Sequence, residues 1–176
     1  HLEQLSTRAR ESASVAVLDG DEVVYVARVP TKRIMAVAIA IGTRFPAHAT
    51  SLGRVLLAGQ GPEWLAGYLA GVKLRPLTPY TIVDRDELRA ELQRVSEQGY
   101  ALADQQLEEG LRSMAAPIRD ADGTVIAGVN VSAHISRGSG AALHDELLPL
   151  LREAASSIET DLREIDPEPV VFRNRN

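Results

Sequence analysis

Apolar and polar positions along the chain divide it into hairpins alternating with helices. His1 to Ser12 is polar, with Leu2, Leu5 and Ala9 at helical spacing, and reads as a short helix. Ala13 to Leu18 is a β-type run, Asp19-Gly20-Asp21 a turn signal, and Glu22 to Val29 the returning strand. Val23, Tyr25, Ala27 and Val29 share one face of that strand; Val24, Val26 and Arg28 share the other. Both faces are largely apolar, so the strand is expected to be central and covered on both sides. Ile34 to Ile41 is continuously apolar and predicts a buried strand.

Gly42 and Pro46 bracket an irregular loop leading to His48-Ala49-Thr50-Ser51. Thr50 or Ser51 can cap the helix that follows, which buries Leu52, Val55 and Leu56 on one face. A short helix starts at Gly61-Pro62-Glu63, and residues 71 to 83, with Pro76 and Pro79, form a loop. Asp84 to Gln98 is the clearest helix: Asp84 is its cap, Glu87 completes a capping-box-like pair, Leu88, Leu92 and Val95 make the buried stripe, and Gly99 ends it. Tyr100 to Gln105 is extended. Ser113 to Arg119 and Thr124 to Ala133 form a hairpin around Asp120-Ala121-Asp122-Gly123. A last helix runs from about Ala141 to Arg163, with Pro149 expected to kink it, and residues 166 to 176 read as a loose tail. Hairpins with helices and no regular βαβ rhythm predict an α/β chain of the α+β kind, an antiparallel sheet with helices packed on it.

Composition narrows the function classes. The chain has 176 residues and a net charge of −5, with an isoelectric point near 5.4. Without a basic run it is a poor binder of phosphate backbones by itself. It has no cysteine, which excludes disulfides and thiolate metal sites. The apolar run Ile34 to Ile41 is far short of the roughly 20 residues that span a bilayer, and no signal peptide is visible, so a cytoplasmic chain is expected. The first residue is His, which reads as a fragment of something longer.

Two stretches carry candidate chemistry. The first-turn N–H groups after Thr50 lack intrahelical partners and favour negative charge; the same start serves equally as an ordinary cap. In the strand Val125 to Ile135, apolar residues alternate with Ile126, Gly128, Asn130, Ser132 and His134, placing an amide, a hydroxyl and an imidazole in one row. That row can hydrogen-bond a small polar ligand or simply face water. Ser113 starts the neighbouring strand and can reach the same space. Asp104, Gln105, Gln106, Glu108 and Glu109 match no Ca²⁺ loop and read as a solvated face. His48 with Ser51 invites a hydrolase reading, but there is no GxSxG elbow and no assignable third member, and the histidines lack metal-ligand spacing.

Gly42 to Ala58, GTRFPAHATSLGRVLLA, resembles the loop and helix of the IclR family of bacterial transcription regulators, in its C-terminal effector-binding domain. Gly99 to Asp120, GYALADQQLEEGLRSMAAPIRD, resembles the same family's signature region, with Gln106 where the family usually has Glu, Ala103 where an Asp is frequent, and Ser113 where many members have Cys. Tyr25 to Pro30, Ala49 to Ala58 and Asn130-Val131-Ser132-Ala133-His134 look like the regulators of the protocatechuate and β-ketoadipate pathway. The resemblance implies a GAF/PAS-like fold and no cofactor. It implies a winged helix-turn-helix domain upstream that reads operator DNA, with residues 1–12 leading in from it, 13–165 as the effector-binding domain and 166–176 as a tail. It further implies a homodimer or homotetramer and a small anionic effector, an aromatic acid or dicarboxylate. Mapped onto matching positions, it implies a pocket of Ser51, Leu52, Ser113, Asn130 and Ser132, with Ile34, Val37, Phe45 and Leu111 as apolar walls and Asp104 or Ala103 at the variable position. Strand parity adds His134. A second carboxylate would want a cation, for which Arg28, Arg33, Arg54 and Arg112 are candidates. Two other classes stay open: a structural or oligomerisation module with a vestigial pocket, and an esterase using Ser51 and His48.

Overall fold

The computed structural model describes residues 1–31 and 39–165. In chain order the elements are α1 (Leu2–Ala9), β1 (Ser12–Asp19), β2 (Glu22–Val29), β3 (Arg44–Pro46), α2 (Ser51–Ala58), α3 (Pro62–Gly71), α4 (Arg85–Gln98), β4 (Ala101–Asp104), β5 (Leu111–Arg119), β6 (Val125–His134) and α5 (Gly140–Glu164). Single 3₁₀ turns occur at Ala47–Ala49 and Ile135–Arg137. The strands make one antiparallel sheet in the order β3-β2-β1-β6-β5-β4. This is the α+β architecture that the hairpin pattern predicts.

Each face of the sheet has its own core because strand side chains alternate. Met114, Ala116 and Ile118 of β5 and Val129, Val131 and Ala133 of β6 pack under α1 and α5, against Leu5, Leu143, Leu147 and Leu151. Ala115 of β5, Ala101 of β4 and Val23 and Tyr25 of β2 face the other way, beneath Leu52, Val55, Leu56 and Leu57 of α2 and Leu88, Leu92 and Val95 of α4.

α2 is more deeply set than its one apolar stripe suggests. Every residue of it except Ala58 is buried, because α4 covers the side away from the sheet. Its start therefore opens into the interior. Gly53 lets it sit there: a Cβ at that position would lie 2.0 Å from the Ala47 carbonyl oxygen. Thr50 is the cap, its hydroxyl accepting from the Gly53 amide at 2.9 Å. Asp84 caps α4 in the same manner, accepting from the amides of Asp86 and Glu87.

Three expectations change. β2 is the second strand from the edge, and its outward Val26 is 43% exposed, so it is not covered on both sides. The loop expected between Gly42 and Pro46 contains the edge strand β3, whose three residues pair with Glu22 to Val24. Of the strand expected at Ile34 to Ile41, residues 34 to 38 lie outside the described residues; Ile39 to Ile41 is not a strand, and Ile41 is exposed.

Candidate functional site

The site grows from the polar row on β6. Asn130 and Ser132 point away from the α1/α5 core, towards α2, and are buried, at 2% and 4% exposure. For Asn130 and Ser132 the reading in which the row faces water is thereby excluded, whereas Ile126 and His134 at its two ends are exposed. Gly128, one step along the same face, lies directly beneath α2: a Cβ there would stand 3.0 Å from Val55 Cγ2 and 3.1 Å from Leu52 Cδ2. Pairing then extends the row sideways, because directly opposed residues share a face. Ser113 of β5 and Ser12 of β1 flank Ser132, while Ser14 of β1 flanks Asn130, with Arg28 of β2 beyond it. Ser12, Ser14 and Ser113 are all buried.

α2 closes the row from above. The Ser51 hydroxyl donates to Ser113 Oγ at 2.9 Å. The amides of Ser51 and Leu52 have no hydrogen-bond partner among the described residues, so the positive end of α2 is unquenched there. Beside this junction lies a cavity lined by Tyr25, Ile39, Ala49, Thr50, Ala103, Gln106, Leu107, Leu111, Ser113 and Ser132. It holds about 310 Å³ of empty space, of which only about 10 Å³ is open to the centre of a water molecule. A void of that size takes roughly one water, so anything as large as an aromatic ring must push a wall aside.

Two buried polar groups stand at or beside the cavity. Asn130 Nδ2 donates to Ser132 Oγ at 3.2 Å, and Asn130 Oδ1 is buried with no donor among the described residues. A buried acceptor without a partner costs about 1–3 kcal/mol, and a ligand donor would relieve it. Tyr25 also lines the cavity, and burial pushes its hydroxyl pKa up to about 12, so it stays a neutral donor. Phe45 meets the Tyr25 ring edge-on at 5.7 Å and supports it from behind instead of lining the cavity.

The candidate cations now separate. Arg54 is committed beneath α2 to Glu91, the His48 carbonyl and Gln106. Arg112 lies on the opposite face, bound to Asp104 at 2.7 Å and the Gly138 carbonyl at 2.6 Å. Arg33 lies outside the described residues. Arg28 remains: it reaches Ser14 Oγ at 3.3 Å, makes no ion pair among the described residues, and has its pKa pulled down by partial burial.

Of the residues expected at the site, Ser51, Leu52, Ser113, Asn130, Ser132 and Leu111 are brought together. Asp104 is not. It follows the register position of Arg112 on the α5 face, and its neighbour Ala103, opposite Ser113, lines the cavity. His134 is not either: it is exposed, and its ring accepts from the Ser136 amide at 3.2 Å to start a 3₁₀ turn. Ile34 and Val37 lie outside the described residues. Sequence reasoning missed Tyr25, Ser12, Ser14 and Gln106. The alternation of Ser12 and Ser14 was the available signal for two of them.

His48 and Ser51 do not form a nucleophile–base pair. The His48 ring donates from Nε2 to the Arg75 carbonyl at 3.3 Å, its Nδ1 is buried without a partner, and Ser51 is bonded to Ser113. Burial is the main force that pulls the His48 pKa below its ordinary 6.5. Below about pH 6.5 the unfolded chain therefore takes up a proton that the folded chain refuses. Stability should fall as pH drops through that value towards the folded pKa. His48→Gln should flatten the fall in denaturant midpoint between pH 7 and pH 5; an unaltered slope would contradict the assignment.

Comparison with known proteins identifies the family. The family profile described as "Bacterial transcriptional regulator IclR C-terminal" matches residues 1–160. The chain belongs to the IclR family. It is 40% identical over 159 residues to the Pca regulon regulatory protein of Pseudomonas putida, covering 90% of this chain and 55% of that protein. The chain thus spans about half the length of that curated relative. Among solved structures it is similar to a putative transcriptional regulator, RHA06195, from Rhodococcus sp. RHA1, with TM-score 0.91 and 52% identity over 94% of this chain and 68% of that one. It is also similar to the inducer-binding domain of the PobR transcription factor from Acinetobacter, a double mutant in complex with 3-hydroxybenzoic acid. There the TM-score is 0.83 and the identity 34%, over 90% of this chain and 93% of that one. The match places the chain as an effector-binding domain of an IclR-type transcription regulator.

Proposed function

We propose that the cavity at the foot of α2, walled by β2, β4, β5 and β6, senses a small hydroxylated aromatic acid as part of a regulator of aromatic-acid catabolism. What supports this is the meeting of two unsatisfied groups at the cavity's edge: Asn130 Oδ1, next to the lining residue Ser132, and the open amides of Ser51 and Leu52, next to the lining residue Thr50. A carboxylate suits the amides, where the helix end favours an anion. A ring hydroxyl suits the Asn130 side, because it can donate to Asn130 Oδ1 and accept from Tyr25 in one group. The 3-hydroxybenzoic acid seen in the PobR complex has this chemistry, a carboxyl and a hydroxyl on one ring.

Arg28 favours a second reading, a dicarboxylate such as β-ketoadipate, with one carboxylate at each end. That ligand brings no donor for Asn130. Titrating the chain with protocatechuate and β-ketoadipate by calorimetry compares the two. Ser51→Pro removes one amide at a helix position that tolerates proline, and Asn130→Leu removes the acceptor. Each should weaken protocatechuate binding about tenfold, as expected for one hydrogen bond to a charged or buried group. Unchanged affinity in both variants rejects this pocket. If no acid raises the melting temperature, the domain is an oligomerisation module with a closed remnant of a site.

In the whole protein, an upstream winged helix-turn-helix domain entering through residues 1–12 would hold operator DNA, in a homodimer or homotetramer. Effector binding would shift the balance between two arrangements of those parts. The domain itself is acidic, and no helix among the described residues is long and apolar enough to cross a membrane.

A further inference from the structure

The geometry points to Thr78 and Thr81 as positioning residues that hold the effector cavity shut when it is empty. This inference rests on the reading of the cavity given above. An aromatic ring does not fit the space that exists, so a wall has to move. Among the described lining residues, Tyr25 on β2, Ala103 on β4, Leu111 and Ser113 on β5 and Ser132 on β6 belong to strands, Ala49 and Thr50 lead into α2, and Ile39 lies outside any element. Gln106 and Leu107 are different, since they belong to the connection between β4 and β5.

That connection is fastened from outside by the loop before α4. Thr78 Oγ1 donates to the Gln105 carbonyl at 2.7 Å, and Thr81 Oγ1 donates to the Gln106 carbonyl at 2.7 Å. The Ile82 amide donates to Gln106 Oε1 at 3.3 Å. The same two hydroxyls fold their own loop: Thr81 Oγ1 accepts from the amides of Leu77 and Thr78 at 3.1 and 2.9 Å, and Thr78 Oγ1 from that of Tyr80 at 3.1 Å. Two side chains thus shape the loop and tie the main chain of the cavity wall to it, while Arg54 and the Ile82 amide hold the Gln106 side chain. Moving the wall outward breaks or drags these bonds, so the cost of opening is written into them. The loop is also a visible reporter, because it presents Leu77, Tyr80 and Val83 to solvent.

A closing latch makes an unusual prediction. Removing it destabilises the empty domain yet tightens binding, because the binding-competent open state becomes more populated. Thr81→Val keeps the side-chain shape and loses the hydroxyl; Thr81→Ser keeps the hydroxyl. With 3-hydroxybenzoate and protocatechuate as probes, the Thr81→Val chain should melt earlier than the unaltered chain and bind about 5-fold tighter, the population shift set by losing one ordinary hydrogen bond. Thr81→Ser should restore both values. In the unaltered chain, saturating probe should speed amide hydrogen exchange at Leu77, Thr78, Tyr80 and Ile82. Weaker or equal binding by Thr81→Val, with the probe still bound by the unaltered chain, overturns the latch and leaves the cavity reading standing. Absence of binding by the unaltered chain and both variants overturns the cavity reading and the latch with it.

Discussion

Gly53→Ala is expected to be the most damaging single methyl group that can be added to this domain. The new Cβ would sit 2.0 Å from the Ala47 carbonyl oxygen and 2.4 and 2.5 Å from Ala47 Cα and C. All three are backbone atoms, and Ala47 is fully buried, so no side chain can swing away. Either α2 lifts off the 3₁₀ turn or the turn is displaced. Both break the Thr50 cap and pull α2 from Gly128. Overpacking of this kind costs about 3 kcal/mol or more, which for a chain of this length lowers the melting temperature by roughly 6–12 °C. Gly67→Ala in α3 is the matched control. Nothing lies within 4 Å of its Cβ, so there the change should be neutral or stabilising by about 0.5–1 kcal/mol. A thermal melt in which Gly53→Ala tracks the unaltered chain within about 2 °C would refute the close approach.

Arg54→Met should come next. Arg54 is 1% exposed, and its guanidinium donates to the His48 carbonyl at 3.1 Å, to Glu91 at 3.4 Å and to Gln106 Oε1. Burial pulls its pKa down, with Glu91 opposing that pull, so the ion pair is what keeps the charge tolerable. Methionine fills a similar volume but leaves the largely buried Glu91 carboxylate with Arg94 alone and takes a donor each from the His48 carbonyl and Gln106 Oε1. Removing one member of such a pair costs about 3–5 kcal/mol. Arg54→Lys should recover little, because one ammonium cannot serve three acceptors on different elements in a fixed fork. Urea unfolding measures the loss; a midpoint unmoved by Arg54→Met would show that the network contributes nothing. Gln106→Glu is informative in the same assay. Resemblance places Glu at this position in much of the family, and a second carboxylate beside Arg54 should raise the midpoint.

Much of the scaffold is legible in the chain because its signals are local. The Thr50 and Asp84 caps follow from hydroxyl or carboxylate oxygens standing two or three residues before amides that have no helical partner. Gly123 at φ +83° closes the β5–β6 turn where the Asp120 to Gly123 run predicts it. Alternation in β6 correctly separates Val129, Val131 and Ala133 from Asn130 and Ser132. Alternation fails near strand ends. His134 keeps its parity and its pairing with Leu111, but at the strand's end it is exposed and its ring caps the 3₁₀ turn that follows. Asp104 and Ala103 differ by one residue, and one residue reverses the face. Only pairing with β5 says which of them looks into the cavity. β3 was invisible for a related reason: three residues acquire strand geometry only because β2 offers them an edge.

By itself, the sequence determined the hairpins, the capped helices, the antiparallel class and the two residue types, small polar side chains and free helix amides, from which an acid-binding site can be built. Those are properties of neighbours along the chain, set by periodicity and by backbone groups seeking partners within a few residues. The tertiary structure alone decided that Asn130 and Ser132 are buried and, among the described residues, that Arg28 has no counter-ion while Arg54 and Arg112 are engaged and that Asn130 keeps an acceptor unsatisfied. It also decided that two threonines far along the chain hold the wall opposite. Each depends on which strands lie side by side and what covers them. That is a matter of contacts between residues tens of positions apart, and no local pattern encodes it.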